Sequence, residues 1–371
     1  MGRDIPKIVY MGSPLFAARL LEFIITMRLA DVCAVWTVAK RIRSRVRNRK
    51  ALRSDEESTP VGQVAQRLNI TLHEPEEITA LDVAAMRGYE ADFIFIVAYG
   101  KILPEAFFAA ARYGAYNLHF SLLPRYRGAA PITAAILNGD RETGITIQKV
   151  VKRMDAGPIV LQEAFAAAEL DYEQVLRHSI ERAHNLFQVF FTSQVGTNNS
   201  PLWAAPRLLE QNETKATYTK KIDATATEMT QAETSLSFHR KMLAFKHWRG
   251  VMFFIKEVKY FVVTYQFLRT ENFYQSPLFK ADQSFAAQTK TLLTDIEWEA
   301  WNGKTTVPLH CFKSLKQCFY LLTTQNKRLF LWLNGDLMPI EILTLKRAGG
   351  RTITAKDFIN GSREKFPIAV N

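Results

Sequence analysis

The amino-acid sequence predicts an α/β protein with a mostly parallel sheet, followed by a smaller β-rich domain. In the first half, short apolar runs such as KIVYM and DFIFIV alternate with amphipathic helical patterns, as in βαβ units. In the second half, the stretches VMFFIKEVKYFVVTYQF and PIEILTLKR are aromatic and β-branched, which favours antiparallel strands. A length of 371 residues is enough for about two domains.

Each element of the first half follows from the period of its apolar residues. Continuous apolar runs bounded by turn residues predict strands at 6–12, 32–38, 70–75, 92–100, 115–120, 143–151 and 158–165. Helical spacing of the apolar residues predicts helices at 16–28, 61–68, 104–113, 131–140 and 172–194. In a parallel sheet of this kind, ligands bind beyond the carboxyl ends of the strands.

The amino-acid composition of the chain changes near residue 200, where Gly, Asn, Ser and Pro cluster. We therefore predict a first domain over residues 1–197, a linker over 198–214 and a second domain over 215–371. One helix, at 236–248, precedes the strands of the second domain.

Composition and charge limit the function classes. The net charge of +12 favours an anionic partner such as nucleic acid or a membrane surface. Three cysteines without metal-ligand spacing predict a reducing compartment, no disulfide framework and no metal site. No run of 18 uncharged apolar residues and no targeting pattern is present, so we expect no membrane partner.

The most informative stretch is NLHFSLLPRYRGAAP, residues 117–131. Asn117 and His119 are two residues apart at the end of a predicted strand, so their side chains share a face. An amide N–H and an imidazole that converge can stabilise an oxyanion. The turn Ser-Leu-Leu-Pro that follows offers backbone groups for a flat polar heterocycle. Read alone, His119 is more simply a structural histidine, whereas its pairing with Asn117 at a strand end favours a functional one.

A carboxylate that could serve this histidine is Asp155. It follows a predicted strand in a loop bounded by Gly157 and Pro158. There it could reach His119, orient the ring and favour the imidazolium. Read alone, it is also compatible with a turn residue.

A second functional candidate is the stretch KRIRSRVRNRKALR, residues 40–53, which holds eight Lys or Arg and no acid. It follows the second predicted strand, where the topology puts a loop on the ligand side of the sheet. Such a density of cations suits contacts with phosphates.

Taken together, these motifs resemble the formyltransferase signature, in which Asn-x-His precedes Ser-Leu-Leu-Pro and Arg-Gly-Ala-Ala-Pro. VAYGKILP, at 97–104, is similar to the segment that precedes that signature, and the Asp of MDAG stands where the superfamily keeps a third catalytic residue. TYTKKI, at 217–222, and the stretch at 343–366 resemble the second domain of the methionyl-tRNA formyltransferase family.

The resemblance implies a Rossmann-like catalytic domain and a smaller OB-like β-barrel, here enlarged. It implies 10-formyltetrahydrofolate as donor, without a metal, and initiator methionyl-tRNA as acceptor, in a cytoplasmic and bacterial protein rather than an organellar one. We expect a monomer. The site residues that it implies fall into three groups: catalytic Asn117, His119 and Asp155; folate-binding Tyr99, Gly100, Ser121, Leu122, Leu123 and Pro124; and tRNA-binding Arg41, Arg43, Arg45, Arg47, Arg49, Lys346 and Arg347.

Two alternatives stay open at this point. A sugar-nucleotide N-formyltransferase would use the same chemistry on another amine. A non-catalytic RNA-binding protein could keep the scaffold without the reaction. Phe120, which stands where the family usually has glycine, supports the second alternative because its ring could crowd the folate pocket.

Overall fold

The computed structural model describes residues 5–39, 58–192, 208–229, 234–248, 250–255, 258–267, 320–325, 328–333, 340–361 and 368–370. The chain divides into two compact units. The first comprises Met1–Ala135, Asp140–Ala168 and Glu173–Lys221, and the second comprises Ile136–Gly139, Glu169–Tyr172 and Ile222–Asn371. The predicted linker over 198–214 falls within the sequence range of the first unit.

The first unit contains one large sheet, with helices between its strands, and a separate two-stranded sheet. Its strands are β1 (Lys7–Gly12), β2 (Asp31–Trp36), β3 (Thr71–His73), β4 (Phe93–Val97), β5 (Ala115–His119), β6 (Arg127–Gly128), β7 (Glu142–Lys149), β8 (Ile159–Ala166) and β9 (Tyr218–Thr219). Its elements alternate with the helices α1 (Leu15–Thr26), α2 (Pro60–Arg67), α3 (Ala80–Gly88), α4 (Glu105–Phe108), α5 (Pro131–Asn138) and α6 (Tyr172–Thr192).

The large sheet has the strand order β3-β2-β1-β4-β5-β7-β8. The first five strands in this order pair in parallel, whereas β7 runs antiparallel to both β5 and β8. The mixed α/β class with a mostly parallel sheet is therefore confirmed. Across the β5–β7 pair, Asn117 lies opposite Gln148 and His119 lies opposite Thr146.

The core of this unit explains why β4 reads as an unbroken apolar run. All five of its residues are buried, since the sheet is covered on both faces. Phe95 packs edge-on against Phe187 and Phe190 of α6, with ring centroids 4.9 and 5.4 Å apart. This packing fixes β4, the parallel neighbour of β5, against α6.

The second unit is built on antiparallel strands. They are β10 (Val251–Ile255), β11 (Val258–Phe267), β12 (Tyr320–Gln325), β13 (Arg328–Leu333), β14 (Ile340–Arg347), β15 (Thr352–Thr354) and β16 (Ile368–Val370). Their order is β10-β11-β14-β13-β12-β16, with β15 paired to β14. The helices α7 (Ser235–Phe245) and α8 (Ala355–Gly361) contribute Phe238 and Phe358 to the core of the sheet.

Two helices differ from the sequence prediction. α3 was not predicted, although a capping box marks its start: Thr79 accepts from the backbone N–H of Asp82, whose carboxylate accepts from the Thr79 N–H. α4 was predicted over 104–113 but covers only four residues, Glu105–Phe108. Neither difference moves a residue of the predicted site to another strand.

Candidate active site

The three polar residues that the sequence singled out line one cavity. The cavity has a volume of about 560 Å³ and lies within the first unit. Asn117 and His119 reach it from β5, and Asp155 reaches it from the connection between β7 and β8. Its walls are largely apolar and include Ile102 and Phe108. The arrangement gathers polar groups at a mostly apolar pocket, which is the common form of a small-molecule site.

His119 is held in a defined orientation by the backbone. Its side chain is buried, and Nε2 lies 2.9 Å from the carbonyl oxygen of Tyr126. Because a carbonyl can only accept, Nε2 carries the hydrogen of this bond. Nδ1 is then the nitrogen that faces Asp155, whose Oδ2 lies 3.7 Å away. That separation exceeds a hydrogen bond, so the Tyr126 carbonyl, rather than Asp155, orients the ring.

The Asp155 carboxylate is fixed by two other donors. Oδ2 accepts the backbone N–H of Gly128 at 2.8 Å, and Oδ1 accepts Nε2 of Gln148 at 2.8 Å. The backbone of Asp155 has a φ of 50°, in the left-handed region that most residues avoid. Because β7 runs antiparallel to β5, Asp155 does not lie at the carboxyl end of a parallel strand. It reaches His119 because the connection between β7 and β8 folds back toward β5.

Gly128 is required at its position by space as well as by conformation. Its φ is 111°, and a Cβ added there would lie 2.4 Å from the backbone oxygen of Thr219. The close approach arises because β6 pairs in parallel with β9, with Gly128 opposite Thr219. The Arg-Gly dipeptide of the signature therefore joins the segment at 218–219 to the carboxylate of Asp155.

The four residues from Ser121 to Pro124 do not line the cavity. Their backbone groups are engaged by neighbouring strands instead. Oγ1 of Thr146 donates to the Ser121 carbonyl at 2.7 Å and accepts from the Leu123 N–H at 3.2 Å, and Gln162 donates to the Leu123 carbonyl at 3.0 Å. In this structure the turn, which has a cis Leu123–Pro124 bond, supports the strand end that carries His119.

Tyr99 and Gly100 do line the cavity, as does Phe120. Burial raises the pKa of Tyr99 to about 12, so its hydroxyl remains protonated at neutral pH. The Phe120 side chain is 8% exposed, and its ring packs edge-on against Phe16 with centroids 5.1 Å apart. Phe120 therefore forms part of the wall and leaves a cavity of substantial volume beside it.

The predicted tRNA-binding residues divide into two groups. Arg41, Arg43, Arg45, Arg47 and Arg49 lie outside the described residues. Lys346 and Arg347 are exposed at the end of β14 in the second unit, where they pair across the sheet with Phe261 and Tyr260.

Sequence reasoning missed three polar residues beside Asp155. Gln148 is buried on β7 opposite Asn117, and Gln211 is buried in the segment that follows α6. Arg127 was quoted as part of the signature but given no role, and its side chain is fully buried. The alternation of side chains along β7 could have indicated Gln148, whereas nothing local to Gln211 pointed to this site.

Two kinds of feature are absent from the described part of the chain. Among those residues, no group of three or more His, Cys, Asp or Glu is arranged to hold a metal ion. No helix in the same ranges is both long enough and apolar enough to cross a bilayer.

Comparison with known proteins bears directly on this fold and site. A sequence profile of the Formyl transferase family matches residues 7–190, which contain the large sheet and the three polar residues. A methionyl-tRNA formyltransferase from Fervidobacterium nodosum is 33% identical over 258 residues, covering 68% of this chain and 76% of the relative. One from Thermotoga maritima is 34% identical over 262 residues, covering 70% and 79%.

Among solved structures, an N-formyltransferase from Helicobacter canadensis in complex with folinic acid and dTDP-3-aminofucose superposes with a TM-score of 0.53. The match covers 91% of this chain and 98% of that one at 15% identity, which supports the fold alone. The fold and the residues at its cavity define the class of the protein as a formyl transferase. Since relatives above 30% identity are matched over three quarters of their length, the chain belongs to the methionyl-tRNA formyltransferase family.

Proposed function

We propose that the protein transfers a formyl group from 10-formyltetrahydrofolate to the α-amino group of methionine on initiator methionyl-tRNA. The observation that carries this proposal is the meeting of Asn117, His119 and Asp155 at one cavity. The names of the aligned relatives supply the acceptor, because the cavity alone does not distinguish one amine from another.

The cavity suits the donor substrate. Its volume of about 560 Å³ and its apolar walls can take a flat heterocycle, and Tyr99 and Gly100 are among the residues that line it. The complex of the Helicobacter canadensis enzyme with folinic acid agrees with a folate in this fold. We assign Ser121–Pro124 an indirect part, since these residues brace the strand end beside the cavity.

The chemistry assigned to Asn117 and His119 is stabilisation of charge. The neutral amine attacks the formyl carbon, and negative charge develops on the formyl oxygen. Asn117 lines the cavity, and its side chain has no hydrogen-bond partner among the residues that the structure describes. Its amide N–H is therefore available to that oxygen. We assign the imidazolium form to His119, in which Nε2–H donates to the Tyr126 carbonyl and Nδ1–H is the second donor to the formyl oxygen. A preorganised donor of this kind contributes about 3–4 kcal/mol.

Asp155 completes the proposed mechanism as an anion. Its carboxylate lies 3.7 Å from Nδ1 of His119 and accepts the proton of the attacking amine through one water. As the C–N bond to the folate breaks, N10 receives that proton and leaves. One C–N bond has then formed and one has broken, with no net change in protons.

We assign tRNA binding to basic residues in both halves of the chain. The run at 40–53 and the exposed pair Lys346 and Arg347 would contact phosphates. The two ends of the second sheet's order, β10 and β16, lie close together, which supports a closed, OB-like barrel. We further propose that the protein acts as a monomer in the bacterial cytoplasm.

One experiment tests the proposed function against both alternatives. The full-length protein is assayed with 10-formyltetrahydrofolate and, in parallel, charged initiator tRNA, charged elongator methionine tRNA and an amino-sugar nucleotide. We expect rapid formylation of the initiator alone. Formylation of the sugar nucleotide instead would favour the first alternative, and the absence of any transfer would favour a non-catalytic RNA-binding protein.

A further inference from the structure

The side chain of Gln211 binds the backbone at Asp155 and two residues further on, at Gly157. Its Nε2 donates to the carbonyl oxygen of Asp155 at 2.9 Å and to that of Gly157 at 2.6 Å. It also lies 3.4 Å from Oε1 of Gln148, the residue whose own amide donates to the Asp155 carboxylate. Gln211 lies beyond residues 7–190, the range that matches the Formyl transferase family.

The orientation of the Gln211 amide is fixed by Arg127. Nε and Nη2 of Arg127 donate to Oε1 of Gln211 at 3.1 and 2.8 Å. Because a guanidinium offers only donors, the oxygen of the amide must face it, and the nitrogen must face the two carbonyls. The other donors of Arg127 reach Glu213 at 2.8 and 3.1 Å and the hydroxyl of Tyr218 at 3.1 Å. The guanidinium is fully buried, so this geometry is rigid.

These hydrogen bonds hold the backbone at a residue with an unfavourable conformation. Asp155 has a φ of 50°, and a residue other than glycine holds this conformation when its surroundings impose it. Among the described residues, Gly128, Gln148 and Gln211 are the hydrogen-bond partners that hold Asp155. Gln211 does not line the cavity, so it can act on a substrate only through lining residues that it contacts, of which Asp155 accepts the shorter hydrogen bond and Gln148 lies at 3.4 Å.

We propose that Gln211 is a positioning residue for formyl transfer, which it supports by holding the loop at 155–157 so that the Asp155 carboxylate faces His119. The inference rests on the proposed function. It makes the segment that follows α6 a part of the active site. A displacement of about 1 Å in a reacting group can lower a rate by about 100-fold. Loss of the hydrogen bonds from Gln211 is therefore expected to lower kcat.

The test uses the full-length protein with two changes at this position. Gln211→Glu keeps an oxygen for Arg127 but places an oxygen, in place of the N–H donors, against the two carbonyls. Gln211→Met removes the donors without burying a charge, in case the first variant does not fold. Both should lower kcat by about 10- to 100-fold with KM for folate and for methionyl-tRNA within about threefold. The neighbouring change Asn212→Asp, on an exposed side chain, is the matched control and should leave kcat unchanged.

A double-mutant cycle separates positioning from a general structural role. In an Asp155→Ala background, measured in single turnover, Gln211→Met should have no further effect, because its target is already missing. A further loss as large as in the wild type would overturn the proposal, and so would an unchanged kcat in the single variants. Amide hydrogen exchange of residues 150–158, which needs no substrate, should accelerate in Gln211→Met. Unchanged exchange would overturn the proposal, whereas an inactive wild type would overturn only the proposed function.

Discussion

The backbone N–H of Gly128 donates to Oδ2 of Asp155 at 2.8 Å. The two residues are 27 positions apart, in the signature stretch and in the connection between β7 and β8. Their bond joins the Arg-Gly dipeptide of the signature to the carboxylate that faces His119. This dipeptide, to which the sequence assigned no role of its own, thus supports the proposed catalytic aspartate.

The first prediction concerns Gly128→Ala. A methyl group there would lie 2.4 Å from the Thr219 backbone oxygen, and the φ of 111° disfavours any side chain. We expect the free energy of unfolding to fall by about 1–3 kcal/mol and kcat to fall with it, because the N–H moves away from Asp155. Chemical denaturation and initial rates measure the two effects. Gly88→Ala is the control: its Cβ meets nothing within 4 Å, so the free energy of unfolding should stay the same or rise by up to about 1 kcal/mol.

The second prediction concerns the oxyanion donor. Asn117→Ala should lower kcat by about 100- to 1000-fold, as loss of one such donor does in other enzymes. Because the side chain is assigned to the developing charge and not to the ground state, folate affinity should change by less than about threefold. Asn117→Asp has nearly the same shape but offers an anion to the oxygen, so it should be no more active than the alanine variant. An active aspartate variant would remove Asn117 from the proposed role.

The third prediction concerns pH and the pair of Arg127 and Glu213. Hydrogen bonds from Arg127 lower the pKa of Glu213 below its ordinary value of 4.5. The folded state therefore binds a proton on Glu213 less readily than the unfolded state does. The pair stabilises the folded protein fully above the unfolded-state pKa of Glu213, and this stabilisation is lost as pH falls through the folded-state pKa. Glu213→Gln should lower Tm at pH 7, and its difference from the wild type should shrink as pH falls through the folded-state pKa. Thermal unfolding across pH 3–7 measures this trend. Glu77→Gln, on an exposed carboxylate, is the control, and a Tm difference that stays constant with pH would refute the pair's contribution.

The fourth prediction concerns the exposed cations of β14. Lys346→Ala and Arg347→Ala should each raise KM for methionyl-tRNA and reduce the slope of log affinity against log salt by about one. Neither change should alter kcat or folate binding, because both residues lie in the second unit. Arg87→Gln, at an exposed position of α3, is the matched loss of charge and should have no effect on the slope. A slope that is equal in all four proteins would exclude β14 from tRNA binding.

Most of the first sheet could be predicted from local pattern. Strands such as β4 are buried on both faces, so they read as unbroken apolar runs. The order of the strands was not predicted, because it depends on which strands pair, and β1 pairs with β4 rather than only with its neighbour in the chain. The direction of β7 could not be read in this way, because an antiparallel strand buried between β5 and β8 has the same apolar pattern as a parallel one. The sequence did place Asp155 in the loop after this strand, and the structure has it in the connection between β7 and β8.

The site could be predicted only as far as its residues carry local signals. Asn117 and His119 share a face because they are two apart in a strand, a rule that needs no tertiary information. Gln211 could not be found, since its role depends on contacts with Asp155 and Arg127, which are 56 and 84 residues away in the chain. The sequence pattern predicts that the backbone of Ser121–Pro124 contacts a ligand. In the structure, Thr146 and Gln162 form hydrogen bonds with this backbone instead.

The measurement that tests the central claim most directly is the single-turnover rate of formyl transfer to initiator methionyl-tRNA by His119→Ala, beside its affinity for folate. His119 lies between the carbonyl of Tyr126 and the carboxylate of Asp155, so its loss should remove charge stabilisation while sparing the cavity. We predict a rate at least about 100-fold below the wild type with folate affinity within about threefold. A rate near that of the wild type would contradict the account.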